Sequence, residues 1–100
     1  MKIVTFEDID EKYTHGHEVE FIHSGVSGLA DVVVIDINTI FDYEEKKAEI
    51  CQKNYTSIAV IDDPSDFDAF KNFGITAWIK RDGLNDLPAL LADVKTRMSL

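Results

Sequence analysis

One hundred residues, 45% of them apolar, are enough for one modest hydrophobic core, so the chain reads as a single domain over residues 1–100. The formal charge of -9 is lopsided: residues 1–50 carry 12 acidic and 4 basic side chains, residues 51–100 carry 7 and 6. Such a surface repels phosphate backbones and argues against direct nucleic-acid binding. No apolar run approaches the ~20 residues of a membrane span, and the lone cysteine, Cys51, rules out an internal disulfide or a zinc ribbon.

The amino terminus turns acidic at Glu7 and does not read as a signal peptide, so the expected location is the cytoplasm. Lys2–Phe6 predicts a first strand, stopped by Glu7 and Asp8. Residues 9–17 are polar, with room for a turn or two of helix. Glu18–His23 alternates polar and apolar residues, the period-2 pattern of a half-exposed edge strand. Ser24–Gly28 breaks the chain. Asp31–Ile35 is then a continuous β-branched run, which predicts a central strand buried on both faces.

A helix is predicted over roughly 41–53. Acidic Asp42, Glu44 and Glu45 suit its first turn, and Glu49 and Lys53 stand four residues apart. This placement puts Cys51 inside the helix as a buried, unreactive thiol. Ser57–Ile61 predicts a fourth strand, ending on Asp62 and Asp63. The next helix has Asp63 as its cap, Pro64 at its first position, Phe67, Phe70 and Phe73 as its apolar face, and Gly74 as its stop. Ala77–Ile79 is a last short strand, followed by Lys80 and Arg81. Leu84, Leu87, Leu90, Leu91, Val94 and Met98 form the stripe of a closing amphipathic helix, with Pro88 in its first turn.

Strands alternating with helices imply an α/β fold with a mainly parallel sheet and right-handed crossovers. Ligands bind such sheets at the carboxyl ends of the strands. There the sequence places Glu7 and Asp8 after the first strand, Asp36 after the third, Asp62 and Asp63 after the fourth, and Lys80 and Arg81 after the fifth. Converging carboxylates raise one another's pKa unless a cation offsets them, and an all-oxygen cluster suits Mg²⁺. Each group has a plainer reading: Asp36 and Asp63 as helix caps, His15, His17 and His23 as loop and strand histidines rather than a metal cluster, Trp78 as core or exposed aromatic.

These residues carry a resemblance. "KIVTFEDIDE" is similar to the opening of a response-regulator receiver domain, "DVVVIDIN" to that family's third strand with its phosphorylated aspartate, and "FGITAWIKRDGLNDLPALL" to its last strand, conserved lysine and last helix. The resemblance implies five strands in the flavodoxin- and CheY-like order 2-1-3-4-5. It also implies two-component signalling rather than enzymatic turnover, with a histidine kinase or other signalling protein as partner. Residue by residue, Asp36 would be the phosphoacceptor, Glu7, Asp8 and Asp36 would hold Mg²⁺, and Lys80 or Arg81 would supply the cation. Alternation along a strand lets only one of those two face the site; spacing from Gly74 and Trp78 favours Arg81, leucine register favours Lys80, and Lys80 is the expected one.

Three departures accompany the resemblance. The hydroxyl that the family places at the end of the fourth strand is here Asp62 or Asp63. A carboxylate there repels a phosphoryl group by roughly 4 kcal/mol for a unit pair 4 Å apart at an effective dielectric of 20. The proline after the lysine is missing. The front half is short, so the first two helices are expected to be short or missing, and a hairpin over 1–23 stands as an alternative. An underfilled sheet face would need covering, by a homodimer or a partner. The alternative function is therefore a phosphorylation-independent binding or dimerisation module. An aspartyl phosphatase of the haloacid dehalogenase type needs a second aspartate where Asn38 stands.

Overall fold

The computed structural model describes residues 1–75 and 77–100. The strands are β1 (Lys2–Thr5), β2 (Glu18–Phe21), β3 (Ala30–Ile35), β4 (Cys51–Ile61) and β5 (Ala77–Lys80). Three α-helices follow the last three strands: α1 (Ile40–Ile50), α2 (Asp66–Asn72) and α3 (Leu87–Arg97). Three-residue 3₁₀ turns stand at Glu11–Tyr13 and Ile22–Ser24, and a longer one at Arg81–Asp86 leads into α3.

The sheet is parallel throughout, in the order β2-β1-β3-β4-β5, a flavodoxin-like α/β arrangement. The hairpin alternative for residues 1–23 is overturned: β2 runs parallel to β1, pairing Ile3 with Val19 and Thr5 with Phe21. The first two helices are indeed reduced, each to one 3₁₀ turn. The central run explains the order. Val32, Val33, Val34 and Ile35 are fully buried, and a strand apolar on both faces must lie between other strands with a layer on each side.

Those layers are two separate apolar clusters. One face buries Val4, Val33, Ile35, Ala59 and Ile61 against Ile40 and Tyr43 of α1 and Phe70 of α2. The opposite face buries Ile3, Val32, Val34, Ile58 and Val60 against Leu84, Leu87, Leu91 and Val94. Fully burying each such side chain is worth about 1.5–3 kcal/mol.

Three expectations are corrected. The first helix ends at Ile50, and the chain passes directly into β4. Cys51 therefore opens a strand, and Glu49 and Lys53 are not a helical pair. The first part of β4 is a lead-in that bulges: Ala30 pairs with Cys51, yet Val32 pairs with Thr56. Cys51 is half-buried rather than buried, and burial pushes its thiol up to about 11, with Lys47 opposing. Asp63 does not cap α2. Its Oδ1 accepts from the backbone N–H and the hydroxyl of Ser65, closing a turn before the helix, and Pro64 precedes that helix by two residues. The carboxylate that ties this junction is Asp66, buried, whose Oδ2 accepts the N–H groups of Asp62 and Asp63. Gly74 stops α2 as expected, at φ +75°. Trp78 is 39% exposed on the edge strand β5, its ring edge-on to Phe67 at 5.3 Å.

Candidate functional site

The carboxyl ends of β1, β3, β4 and β5 lie side by side, and the first polar residues past them meet. Asp36 directly follows β3, Asp62 directly follows β4, and Arg81 directly follows β5. Glu7 stands two residues past β1, held over β3 because Phe6 N–H donates to the Val34 carbonyl at 2.9 Å. Parallel pairing makes all four ends open in one direction, so the site follows from topology.

Arg81 ties the group together. Its Nε donates to Asp62 Oδ1 at 2.8 Å and its Nη2 to Asp62 Oδ2 at 3.1 Å, a two-pronged fork. The same Nη2 lies 2.8 Å from Glu7 Oε2 and 3.5 Å from Asp36 Oδ2. The guanidinium thus reaches from solvent inward: the Asp62 side chain is 40% exposed, those of Glu7 and Asp36 only 9% and 8%.

The inner pair is electrostatically tense. Burial pushes the Glu7 carboxyl up to about 7; Arg81 opposes this, and Asp36 beside it adds to it. Glu7 Oε1 is buried without a hydrogen-bond partner among the described residues. Burial beside a second carboxylate favours the neutral form of Glu7. On the outer side, the Arg81 fork holds the Asp62 carboxyl below its ordinary value, and Asp62 in turn raises the guanidinium.

Asp36 is not a helix cap. The residue before α1 is Thr39, whose side chain makes no capping hydrogen bond among the described residues. Instead the Thr39 hydroxyl donates to Asp36 Oδ1 at 2.9 Å and accepts the Asp36 N–H at 2.9 Å. Asp36 is left with one oxygen held by a hydroxyl and the other facing the guanidinium. Thr39 was not singled out from the sequence; its spacing of three residues from a strand-end aspartate is the signal that could have found it.

The structure resolves the choice between the two cations. Lys80 is the last residue of β5, exposed, and lines a shallow hollow with Asp63, Pro64 and Phe67; Arg81 makes the carboxylate contacts. Leucine register was the misleading cue, because Leu84 belongs to the 3₁₀ turn, outside α3. Asp8 is exposed and lines a different groove, beside β2. Glu7, Asp8 and Asp36 therefore do not make one metal cradle. Among the described residues no group of three or more His, Cys, Asp or Glu side chains is arranged to hold a metal ion. The positive charge between Glu7 and Asp36 is supplied by Arg81, so this arrangement does not fit Mg²⁺. The three histidines do not converge either: His15 is exposed, His17 has a buried Nδ1 without a partner among the described residues, and His23 packs edge-on to Phe21 at 5.1 Å.

No family model, curated protein or solved structure matches this chain significantly. Among the described residues no helix is long and apolar enough to cross a membrane.

Proposed function

We propose that this protein is an atypical receiver-like signalling module that acts through protein contacts, with its carboxylate site closed by Arg81 rather than charged by a phosphoryl group. One observation supports this reading above the rest. A single guanidinium engages Glu7, Asp36 and Asp62 at once, filling the space between an acceptor aspartate and its acidic neighbours. A phosphoryl group on Asp36 would have to displace Arg81 from Asp62 or lie beside an uncompensated Asp62 carboxylate. Either outcome opposes its formation.

A second reading keeps Asp36 as a phosphoacceptor that attacks a phosphohistidine on a partner kinase. It draws support from the Thr39 hydroxyl on Oδ1 and from Arg81 on the other oxygen, two donors that could hold a phosphoryl group. Intact-mass measurement after incubation with acetyl phosphate and Mg²⁺ separates the two. The proposed reading expects no adduct on the wild-type chain. A single phosphoryl adduct that disappears in Asp36→Asn establishes the second reading and removes the first.

A further inference from the structure

On the face of the sheet that α3 covers, coverage stops short of β2. The register places Val19 beside Ile3 and Phe21 beside Thr5, and side chains on paired residues share a face, so Val19 and Phe21 belong to the α3 side. The cluster under α3 takes its strand residues from β1, β3 and β4, with Ala77 and Ile79 of β5 at its margin; Val19 and Phe21 are not in it. Val19 is 39% exposed. The crossover from β1 to β2 would ordinarily place a helix here, but Phe6–His17 contributes only the turn Glu11–Tyr13. What remains is an open groove of about 890 Å³. Thr5, Ile9, Val19 and Phe21 contribute its apolar and weakly polar surface, and Asp8, Asp10 and Glu11 line it with acid.

We propose that this groove docks a basic amphipathic helix of a partner protein, which completes the layer that α3 begins. The proposal rests on the protein-contact reading above and names its partner's chemistry. A helix fits because the adjoining layer is helical, and helices pack side by side at 8–10 Å over a common sheet. An apolar stripe on that helix meets Val19, Phe21 and Ile9. A basic helix fits because the groove's three acids outweigh its one lysine, Lys12, when the lining histidines His15 and His17 are neutral, and the groove lies in the half of the chain that carries 12 acidic against 4 basic side chains. The same charge disfavours a second copy, which would bring an identical acidic rim and a further -9 to the interface.

The test uses the full chain, ¹⁵N-labelled, titrated with a leucine–lysine amphipathic peptide of roughly 15 residues, near the length at which isolated helices become stable. A leucine–glutamate peptide of the same pattern is the control. The expected result is amide shifts centred on Thr5, Ile9, Val19 and Phe21 for the basic peptide only. Affinity should fall about tenfold on raising salt from low to physiological strength and beyond. Val19→Lys, at an exposed position, should abolish the shifts while keeping a dispersed spectrum, and Glu11→Lys should weaken them severalfold. No shifts, shifts elsewhere, or equal binding of the acidic peptide overturns the proposal. A wild-type dimer in sedimentation that Val19→Lys converts to monomer also overturns it, by making a second copy the occupant. Failure here with no phosphoryl adduct on Asp36 sinks the groove alone; an adduct with peptide binding intact sinks the phosphoryl-free reading and leaves the groove.

Discussion

The two faces of the sheet are built from similar strands and finished differently. On one face α1 and α2 follow β3 and β4 by short connections and seal Val33, Ile35, Ala59 and Ile61 completely. On the other, α3 and Leu84 of the turn before it seal Ile3, Val32, Val34, Ile58 and Val60, with Ile9 and Tyr13 of the β1–β2 connection at the margin, and β2 is left with Val19 in partial contact with solvent. The difference lies in the connections. Between β3 and β4 the chain has the length and the apolar spacing for three turns of helix; between β1 and β2 it is polar and spends its residues on one 3₁₀ turn. Coverage of a parallel sheet is therefore decided crossover by crossover, and an abbreviated crossover turns core surface into contact surface.

The comparison can be broken most directly in the core. Leu91→Ala removes a fully buried side chain from α3 and should cost about 2–5 kcal/mol in urea denaturation, whereas Val19→Lys on the open side should stay within about 0.5 kcal/mol. A Val19 variant as costly as the Leu91 variant would mean that both regions of this face are equally sealed.

The carboxylate site is sealed unevenly too, and pH separates its inner and outer members. Glu7 has a folded pKa of about 7 against an ordinary 4.5. The native state thus holds a proton that the unfolded chain has released. This contribution is fully present below about pH 4.5 and is lost as pH rises toward and through 7, on the order of 3 kcal/mol. Asp62 works in the opposite sense and only in acid: its lowered pKa gives stability that is lost as pH falls below its ordinary 3.8. Denaturation midpoints measured between pH 5 and 8 should fall for the wild type and fall much less for Glu7→Gln. Equal slopes would remove the raised Glu7 pKa from the account.

A smaller effect is expected at Arg81. Its partners range from buried to 40% exposed, so solvent weakens the pairing with Asp62 while Glu7 and Asp36 feel its loss in full. Arg81→Gln should cost about 1–2 kcal/mol at neutral pH, less in mild acid where Glu7 is protonated. Lys80→Gln, at an exposed side chain with no ion pair among the described residues, should cost within about 0.5 kcal/mol.

Much of this was legible in the chain. The run Val32–Ile35 announced a central strand because only a strand flanked on both sides and both faces tolerates four β-branched apolar residues in a row. Phe70 and the Leu87, Leu91 and Val94 stripe announced their buried faces by helical spacing. Asp36 and Glu7 stood out because carboxylates after apolar strands resist burial. Local signals misled where two structures share one pattern. Glu49 and Lys53 have helical spacing, yet the chain had already turned into β4 at Cys51. Asp63 before Pro64 has cap chemistry, yet its oxygen bonds Ser65 in a turn that precedes the helix.

By itself the amino-acid sequence determined the central strand, the buried core and the acidic character of the strand ends, since each depends on the hydrophobicity and spacing of near neighbours. Tertiary structure alone decided three things that depend on distant residues meeting. It placed β2 parallel to β1, although the short linker also permitted a hairpin. It separated Asp8 from Glu7 and Asp36, although the two acids are adjacent in the chain. It chose Arg81 over Lys80, because the chain leaves β5 in a 3₁₀ turn that carries the guanidinium to within 2.8 Å of a carboxylate 74 positions earlier in the sequence.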